Sequence, residues 1–247
     1  MAVQVDYAMD GIPLLEKLNN YGRNGLNANI KGNEVQNLLS GYSNILDLMP
    51  SSGSNAILEP IGARRNALTH KRLREFVSNE FQFEEFGIRP GSRVGVLLPN
   101  GPELAITLFG VMSKWCAAPI NLTNTWEETK AELKSTRAVA IVILAGAVGN
   151  EEAIRAAEEL SLGIITLTSA GSFSGLFHFK LLQPVSASTI TTGVDQVENI
   201  RLSGRNRTVL LLQTSGTSGK KLVPYTLNTL MVGVGCIVSS WALGPQD

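Results

Sequence analysis

Thr208-Val-Leu-Leu-Leu-Gln-Thr-Ser-Gly-Thr-Ser-Gly-Lys-Lys-Leu-Val-Pro-Tyr225 is the most informative segment of this chain. Its apolar run at residues 209–212 is short enough for a buried strand. A loop rich in hydroxyls, glycines and lysines follows and comprises Thr214, Ser215, Gly216, Thr217, Ser218, Gly219, Lys220 and Lys221. Glycine lets the backbone turn tightly, and hydroxyl, backbone N–H and ammonium groups all favour an anion with several oxygens. The segment therefore predicts a buried strand followed by a polyphosphate-binding loop.

The spacing of this loop excludes the kinase-type P-loop. A Walker A loop has four residues between its glycines and then a lysine followed by serine or threonine. Here two residues separate Gly216 from Gly219, and leucine follows the second lysine. Pro224 disfavours an immediate helix, because the residue before a proline is pushed towards extended geometry. We therefore predict strand, loop and short strand, with a helix only after Thr226, which suits an N-cap.

Composition indicates a globular protein and gives no support for nucleic acid or an anionic membrane as a partner. Of 247 residues, 44% are hydrophobic, enough for a sizeable core in one large domain or two small ones. Lys plus Arg and Asp plus Glu both number 21, so the net charge is zero. Cys116 and Cys236 suggest no disulfide framework and are predicted to be buried hydrophobes. They fit a reducing compartment, so a cytoplasmic location is expected, with a peroxisome or another organelle left open.

No signal peptide and no transmembrane segment are predicted. The N-terminus has neither the basic nor the apolar region of a signal peptide. Residues 222–246 carry no formal charge, but Pro224, glycines and polar residues interrupt them, whereas a spanning helix needs about 20 predominantly apolar residues. A buried helix over about residues 227–243 is predicted instead.

The remaining chain alternates between strand and helix patterns. Residues 1–55, rich in Asn and Gly, are predicted to be a loop-prone surface segment with short helical pieces, notably at residues 34–48. Strands are then predicted at 93–98, 117–120, 139–144 and 164–167, between helices that begin after Thr69 and at about 102, 127 and 151. Such alternation predicts the α/β class, with a largely parallel sheet flanked by helices. Residues 169–206, rich in hydroxyls and glycines, are predicted to be exposed connection.

Other candidate residues give weaker signals. His70 and His178 show no zinc-ligand spacing with the cysteines, so no protein-bound metal site is predicted. The arginines before the loop strand, Arg201, Arg205 and Arg207, are candidates either for attracting phosphate or for solvated charge.

The loop resembles the signature of adenylate-forming enzymes, the superfamily of acyl-CoA synthetases, luciferases and peptide-synthetase adenylation domains. That signature reads Thr-Ser-Gly-Thr-Thr-Gly, one variable residue, Pro-Lys-Gly-Val, two residues and Thr-His. Residues 214–219 match it with Ser218 in place of the second threonine, and Lys221 falls at the signature lysine. The loop is one residue shorter, because Lys220 replaces the variable residue and the proline. Leu222 replaces the glycine that follows the signature lysine, and Leu227 replaces the signature histidine.

Earlier segments resemble the same superfamily in the right order. Leu-Thr-His-Lys-Arg-Leu at residues 68–73 resembles its Leu-Thr-Tyr helix start. Residues 87–100 resemble its Gly-x-x-x-Gly-Asp-x-Val strand that ends in Pro-Asn, and residues 117–123 resemble its Pro-Leu-x-Pro segment. The resemblance implies the N-terminal part of the adenylate-forming enzyme fold, with a lead segment at residues 1–55 and a partial AMP-binding domain at residues 56–247.

The resemblance also implies an ATP-dependent acid–thiol ligase of the acyl-CoA synthetase type. A small-molecule carboxylic acid attacks the α-phosphorus of ATP bound to Mg²⁺, which gives an acyl-adenylate and pyrophosphate, and coenzyme A then takes the acyl group. In this scheme residues 214–219 bind the β- and γ-phosphates. Lys221, or Lys220 in its place, neutralises the charge of the leaving group.

The superfamily's later motifs have no match in this sequence. They comprise an aromatic-Gly-x-Thr-Glu segment, a ribose-binding aspartate, a hinge and a C-terminal lysine. These residues alone are therefore expected not to complete the reaction, and the native chain is expected to continue past Asp247. Two alternatives stay open, namely a truncated non-catalytic paralogue that acts as a binding or scaffold module, and the adenylation domain of a reductase or peptide synthetase.

Overall fold

The computed structural model describes residues 42–58, 65–186, 204–214 and 220–241. The strands are β1 (Asn55–Ile57), β2 (Leu68–Thr69), β3 (Arg93–Leu97), β4 (Cys116–Pro119), β5 (Ala140–Leu144), β6 (Gly163–Ser169), β7 (Phe177–Gln183), β8 (Thr208–Gln213) and β9 (Leu222–Thr226). The α-helices are α1 (His70–Glu80), α2 (Pro102–Lys114), α3 (Trp126–Thr136), α4 (Asn150–Glu159) and α5 (Leu227–Trp241). Short 3₁₀ turns lie at Ile45–Leu48, Phe83–Phe86 and Gly204–Asn206.

Seven of the described strands form one sheet in the order β7-β6-β5-β3-β4-β8-β9. The inner strands β6, β5, β3, β4 and β8 run parallel to one another. The outer strands β7 and β9 pair antiparallel with β6 and β8. The chain passes from β3 to β4 on one side and then to β5 on the other side of β3, as in doubly wound α/β proteins. The predicted α/β class with a largely parallel sheet is therefore confirmed.

Helices cover both faces of the sheet because side chains alternate between the faces along each buried strand. On β5, Val142 belongs to the main core, to which α1, α2 and α5 contribute apolar side chains. Its neighbours Ile141 and Ile143 belong to a second core, in which α3 contributes Leu133 and α4 contributes Ala153. The sheet is consequently the middle layer of three.

An aromatic cluster connects α1, the following turn and β7 within the main core. The ring centroids of Phe83 lie 5.0 Å from Phe179, 5.8 Å from Phe81 and 4.9 Å from Trp115. Trp115 Nε1 donates to the Ile88 carbonyl at 3.2 Å, so its polar atom is satisfied in a fully buried position.

Helix starts follow the capping signals in the sequence. At α1, Thr69 Oγ1 accepts from the Arg72 N–H at 3.3 Å, and at α5, Thr226 Oγ1 accepts from the Thr229 N–H at 3.1 Å. Pro102 opens α2, where its missing N–H costs no intrahelical hydrogen bond. These three helix starts were predicted from the sequence and are confirmed.

Residues 42–58 pack against the main body. Ile45 and Met49 are buried in the main core, and Asn44 Nδ2 donates to the Ser113 carbonyl at 2.9 Å. The rest of the predicted lead segment, residues 1–41, lies outside the described residues.

Residues 169–206 were predicted to be an exposed connecting segment, and this prediction is wrong for the first half, which contains strand β7. Strand β7 pairs with β6, and along it Phe177 is buried while His178 and Lys180 are exposed. The alternation of apolar and polar residues is the sequence signal of this strand, and the hydroxyl- and glycine-rich stretches on both sides obscure it.

The prediction of a buried helix after β9 is wrong for the second half of α5. Leu227 and Met231 are buried, whereas Val234, Ile237 and Trp241 are exposed, because no described element covers that half. Within the described ranges, no helix is long and apolar enough to cross a membrane.

Candidate phosphate-binding site

The predicted phosphate loop leaves the carboxyl end of β8. This strand runs parallel to β4, with Leu210 beside Ala117, so its carboxyl end lies at the same sheet edge as those of β3, β4, β5 and β6. Strand β9 returns antiparallel, with Leu222 opposite Gln213. Open α/β sheets bind their ligands at the carboxyl edge. The two ends of the loop, Thr214 and Lys220, therefore lie at the edge where this class of fold binds ligands.

Two hydrogen bonds close the base of the loop. The Thr214 N–H donates to the Lys221 carbonyl at 2.9 Å, and the Lys221 N–H donates to Thr214 Oγ1 at 3.2 Å. The middle of the loop, predicted to bind phosphate, lies outside the described residues and comprises Ser215, Gly216, Thr217, Ser218 and Gly219. Because the Thr214 N–H is used within the loop base, the Thr214 hydroxyl hydrogen is the donor that this residue can still offer a ligand.

The two loop lysines differ in what their side chains contact. Lys220 Nζ forms an ion pair and a hydrogen bond with the Glu132 carboxylate. That hydrogen bond raises the pKa of Lys220, and the negative charges of Glu132 and Glu128 act in the same direction. Lys221 is exposed, and its ammonium makes no ion pair with any residue that the structure describes. Lys221 is therefore the lysine whose charge is available to a ligand.

Helix α3 contacts the chain on both sides of the loop. Glu132 binds Lys220 near the end of the loop. One turn further along α3, Ser135 Oγ accepts from Nε2 of Gln213, the residue before the loop, at 2.9 Å. Glu132 is only 8% exposed, so its carboxylate is largely removed from water and requires a partner. The ion pair with Lys220 provides that partner.

Glu132, Ser135 and Gln213 belong to this region without any sequence signal that predicts it. Glu132 and Lys220 are 88 positions apart, and they meet because β8 pairs with β4, the strand that precedes α3. The spacing of three between Glu132 and Ser135 indicates one helix face. It contains no information about what that face contacts.

Arg207 lies away from the loop, at the opposite end of β8. Its Nη2 donates to the carbonyls of Met112 at 2.9 Å and Ser113 at 2.7 Å, at the C-terminus of α2. Burial lowers the pKa of Arg207, and the guanidinium satisfies carbonyls that the helix leaves unpaired. Neither sequence interpretation, phosphate attraction or solvated charge, is therefore correct for Arg207, and Arg201 lies outside the described residues.

The remaining titratable candidates lie away from the loop or on the surface. His178 is exposed on β7, the far edge of the sheet, and His70 is the first residue of α1. Across the ranges that the structure describes, no group of three or more His, Cys, Asp and Glu side chains is arranged to hold a metal ion.

The described groups at the loop base fit polyphosphate better than proton transfer. Thr214 offers a hydroxyl and Lys221 an ammonium, whereas the adjacent carboxylate of Glu132 is paired with Lys220. Such groups stabilise negative charge on phosphate oxygens.

The fold is that of doubly wound α/β proteins, with a hydroxyl- and lysine-bearing loop at the carboxyl edge. The family of AMP-binding enzymes matches residues 64–247, which is most of the chain. This chain belongs to the AMP-binding enzyme family, so the resemblance noted in the sequence is confirmed.

Several solved structures, two of them CoA ligases by name, share this fold. ATP-bound MatB from Rhodopseudomonas palustris superposes with a TM-score of 0.61 at 15% identity, over 82% of this chain and 38% of that protein. The long-chain-fatty-acid-CoA ligase FadD1 from Archaeoglobus fulgidus superposes with a TM-score of 0.58 at 15% identity, over 87% of this chain and 40% of that protein. The anthranilate CoA ligase AuaEII in complex with anthranoyl-AMP superposes with a TM-score of 0.53 at 19% identity, over 76% of this chain and 34% of that protein. The chain thus spans 34% to 40% of the length of these proteins and has the fold of their N-terminal part.

Proposed function

We propose that this chain is part of an ATP-dependent ligase that activates a carboxylic acid as an acyl-adenylate and transfers the acyl group to coenzyme A. Membership of the AMP-binding enzyme family supports adenylate formation. The observation that carries the site assignment is the closed loop base at the carboxyl edge, with the exposed Lys221 beside Thr214. Two proteins of similar fold are CoA ligases by name, which supports coenzyme A as the acceptor.

The proposed reaction balances in two steps. A carboxylate oxygen of the acid forms a bond to the α-phosphorus of ATP, and the bond from that phosphorus to the bridging oxygen of pyrophosphate breaks. The coenzyme A thiol then loses its proton and forms a thioester bond to the acyl carbon, and AMP leaves. Negative charge develops on pyrophosphate in the first step, so groups that stabilise this charge accelerate it.

The described residues act on that leaving group in the proposal. Lys221 places a positive charge beside the β- and γ-phosphates, and the Thr214 hydroxyl donates a hydrogen bond to a phosphate oxygen. The glycines and hydroxyls of residues 215–219 supply further donors, and Mg²⁺ accompanies the nucleotide. Lys220 is assigned to Glu132 and not to phosphate, because the two side chains are paired.

A cytoplasmic location remains a prediction, and a panel of carboxylic acids is needed to identify the acid. The proteins of similar fold are described with different acids, anthranilate and long-chain fatty acids. A family that accepts such different acids requires a substrate screen.

We expect Lys221→Ala to weaken the binding of inorganic tripolyphosphate to the 247-residue protein by about tenfold to a hundredfold, as a charge-assisted hydrogen bond is lost. Isothermal titration calorimetry measures the dissociation constant. Lys180→Ala is the matched control, because Lys180 is an exposed lysine on β7, at the opposite edge of the sheet. Equal affinities for Lys221→Ala and Lys180→Ala would refute the assignment of Lys221.

Catalysis is tested on the native gene product purified from its own cells. We expect exchange of labelled pyrophosphate into ATP that depends on one member of a panel of carboxylic acids, followed by thioester formation with coenzyme A. Exchange without any thioester would favour another acceptor, as in an adenylation domain of a reductase or peptide synthetase. Tripolyphosphate binding with no acid-dependent exchange would identify a non-catalytic binding module.

A further inference from the structure

We propose that Glu132 is a positioning residue for the phosphate loop, because it holds Lys220 against α3 and thereby fixes the loop base where Thr214 and Lys221 meet. The functional part of this inference rests on the proposed role of the loop in binding polyphosphate. Nothing in the sequence indicates this role, since Glu132 lies on a helix that precedes β5.

Helix α3 anchors the loop base at two points, one next to Thr214 and one next to Lys221. Thr214 and Lys221 bond to each other, and the neighbour of each along the chain is anchored to the helix. Gln213, before Thr214, donates to Ser135, and Lys220, before Lys221, binds Glu132. The two anchors lie one helical turn apart on α3. A rigid helix thus sets the separation and orientation of the two chain segments that carry the loop.

Burial makes the Glu132 anchor difficult to release. The Glu132 side chain is 10% exposed, whereas that of Lys220 is 50% exposed. A largely buried carboxylate loses the hydration that it would have in water, so separation from its cationic partner is unfavourable. Lys220 can satisfy this carboxylate without being buried itself, and we infer that it stays at α3 when phosphate occupies the loop.

A charge effect and a positioning effect of Glu132 change anion binding in opposite directions. A carboxylate near a polyphosphate repels it, so neutralising Glu132 strengthens anion binding if charge is its only effect. Loss of the loop geometry has the opposite result and weakens binding. Weaker polyphosphate binding by Glu132→Gln would therefore show that Glu132 positions the loop, because removal of a negative charge would not weaken binding.

The experiment compares Glu132→Gln with Glu127→Gln in the 247-residue protein. Glu127 is exposed in the first turn of the same helix, so the control makes the same change of charge on α3. We expect Glu132→Gln to weaken tripolyphosphate binding about fivefold or more by calorimetry. We also expect the Thr214 and Lys221 amides to exchange hydrogen about tenfold faster, since their mutual bonds open more often. Glu127→Gln should match wild type in both measurements.

Further variants keep the inference testable if Glu132→Gln fails to fold by circular dichroism. The charge-exchanged protein Glu132→Lys/Lys220→Glu should retain slow exchange at the loop base, and Ser135→Ala should loosen it from the Gln213 side. Exchange at Thr214 and Lys221 that is unchanged in both Glu132→Gln and Ser135→Ala would overturn the proposal, as would tighter or equal tripolyphosphate binding by Glu132→Gln. Failure of the wild-type protein to bind tripolyphosphate would instead refute the proposed function of the loop, and hydrogen exchange alone would then decide whether Glu132 positions its base.

Discussion

The two cysteines, Cys116 and Cys236, occupy opposite environments. Cys116 lies fully buried in β4, and burial raises the pKa of its thiol to about 12. Cys236 is exposed on α5. The prediction that both cysteines are buried is therefore correct for Cys116 and wrong for Cys236. The thiolate is the reactive form of cysteine, so the two residues should differ strongly in reactivity.

We expect iodoacetamide at about pH 8 to label the folded protein once, at Cys236, and to reach Cys116 only after denaturation. Intact mass spectrometry counts the adducts, and peptide mapping locates them. Cys236→Ser should take up no label while folded. Rapid native labelling of Cys116 would show that β4 is less protected than the structure indicates.

His70 couples folding to pH. Burial lowers the pKa of its imidazole, so the folded protein binds this proton less readily than the unfolded chain does. The contribution of neutral His70 to stability is therefore complete above the unfolded pKa of about 6.5 and is lost as the pH falls from there through the folded pKa.

We expect the free energy of unfolding to fall less between about pH 7 and about pH 5 in His70→Gln than in wild type. Urea denaturation at several pH values measures the slope. His178→Gln, at an exposed histidine, should keep the wild-type slope. An identical slope in all three proteins would contradict the prediction.

Gly110 of α2 lies directly against the ring of Phe81, the residue that follows α1. A Cβ atom there would lie 2.1 to 2.4 Å from three atoms of the buried Phe81 ring. The ring belongs to the aromatic cluster and has little room to move. Gly233 in α5 provides the contrast, because a Cβ atom there would meet nothing within 4 Å.

We expect Gly110→Ala to lower the free energy of unfolding by about 1–3 kcal/mol through overpacking. Gly233→Ala should raise it by up to about 1 kcal/mol, since alanine has the higher helix propensity. Urea unfolding of the two variants beside wild type measures both changes. A neutral Gly110→Ala would show that Phe81 is not held in place.

The molecule as a whole presents an apolar face on the second half of α5. Val234, Ile237 and Trp241 are spaced at helical intervals along it, and Trp241 is 75% exposed. Contiguous exposed apolar side chains favour association with another surface. In the isolated 247-residue protein, the available surface is that of a second copy.

We expect the protein to self-associate with increasing concentration and Ile237→Lys to reduce this association, as followed by sedimentation velocity. Val148→Lys is the control, because Val148 is 94% exposed but lies in the loop between β5 and α4. A wild-type protein that stays monomeric at high concentration would contradict the prediction.

Local features of this protein were determined by its sequence alone. Apolar runs predicted β3, β4, β5, β6 and β8, and Thr69 and Thr226 predicted the starts of α1 and α5. Each of these signals lies within a few residues of the element it specifies, so no knowledge of distant contacts is needed. The resemblance of residues 214–219 and of the earlier segments to the superfamily's motifs likewise indicated the AMP-binding family.

Tertiary structure decided which distant residues meet. It placed Glu132 beside Lys220, assigned Arg207 to the carbonyls of α2, and left Cys236 on an exposed helix face. It also added β7 to the sheet edge. These outcomes depend on strand pairing and helix packing between segments far apart in the chain. The local sequence around a charged or apolar side chain does not predict which distant residue it contacts. The sequence therefore predicts the local secondary structure, whereas the environment of each functional side chain depends on the tertiary structure.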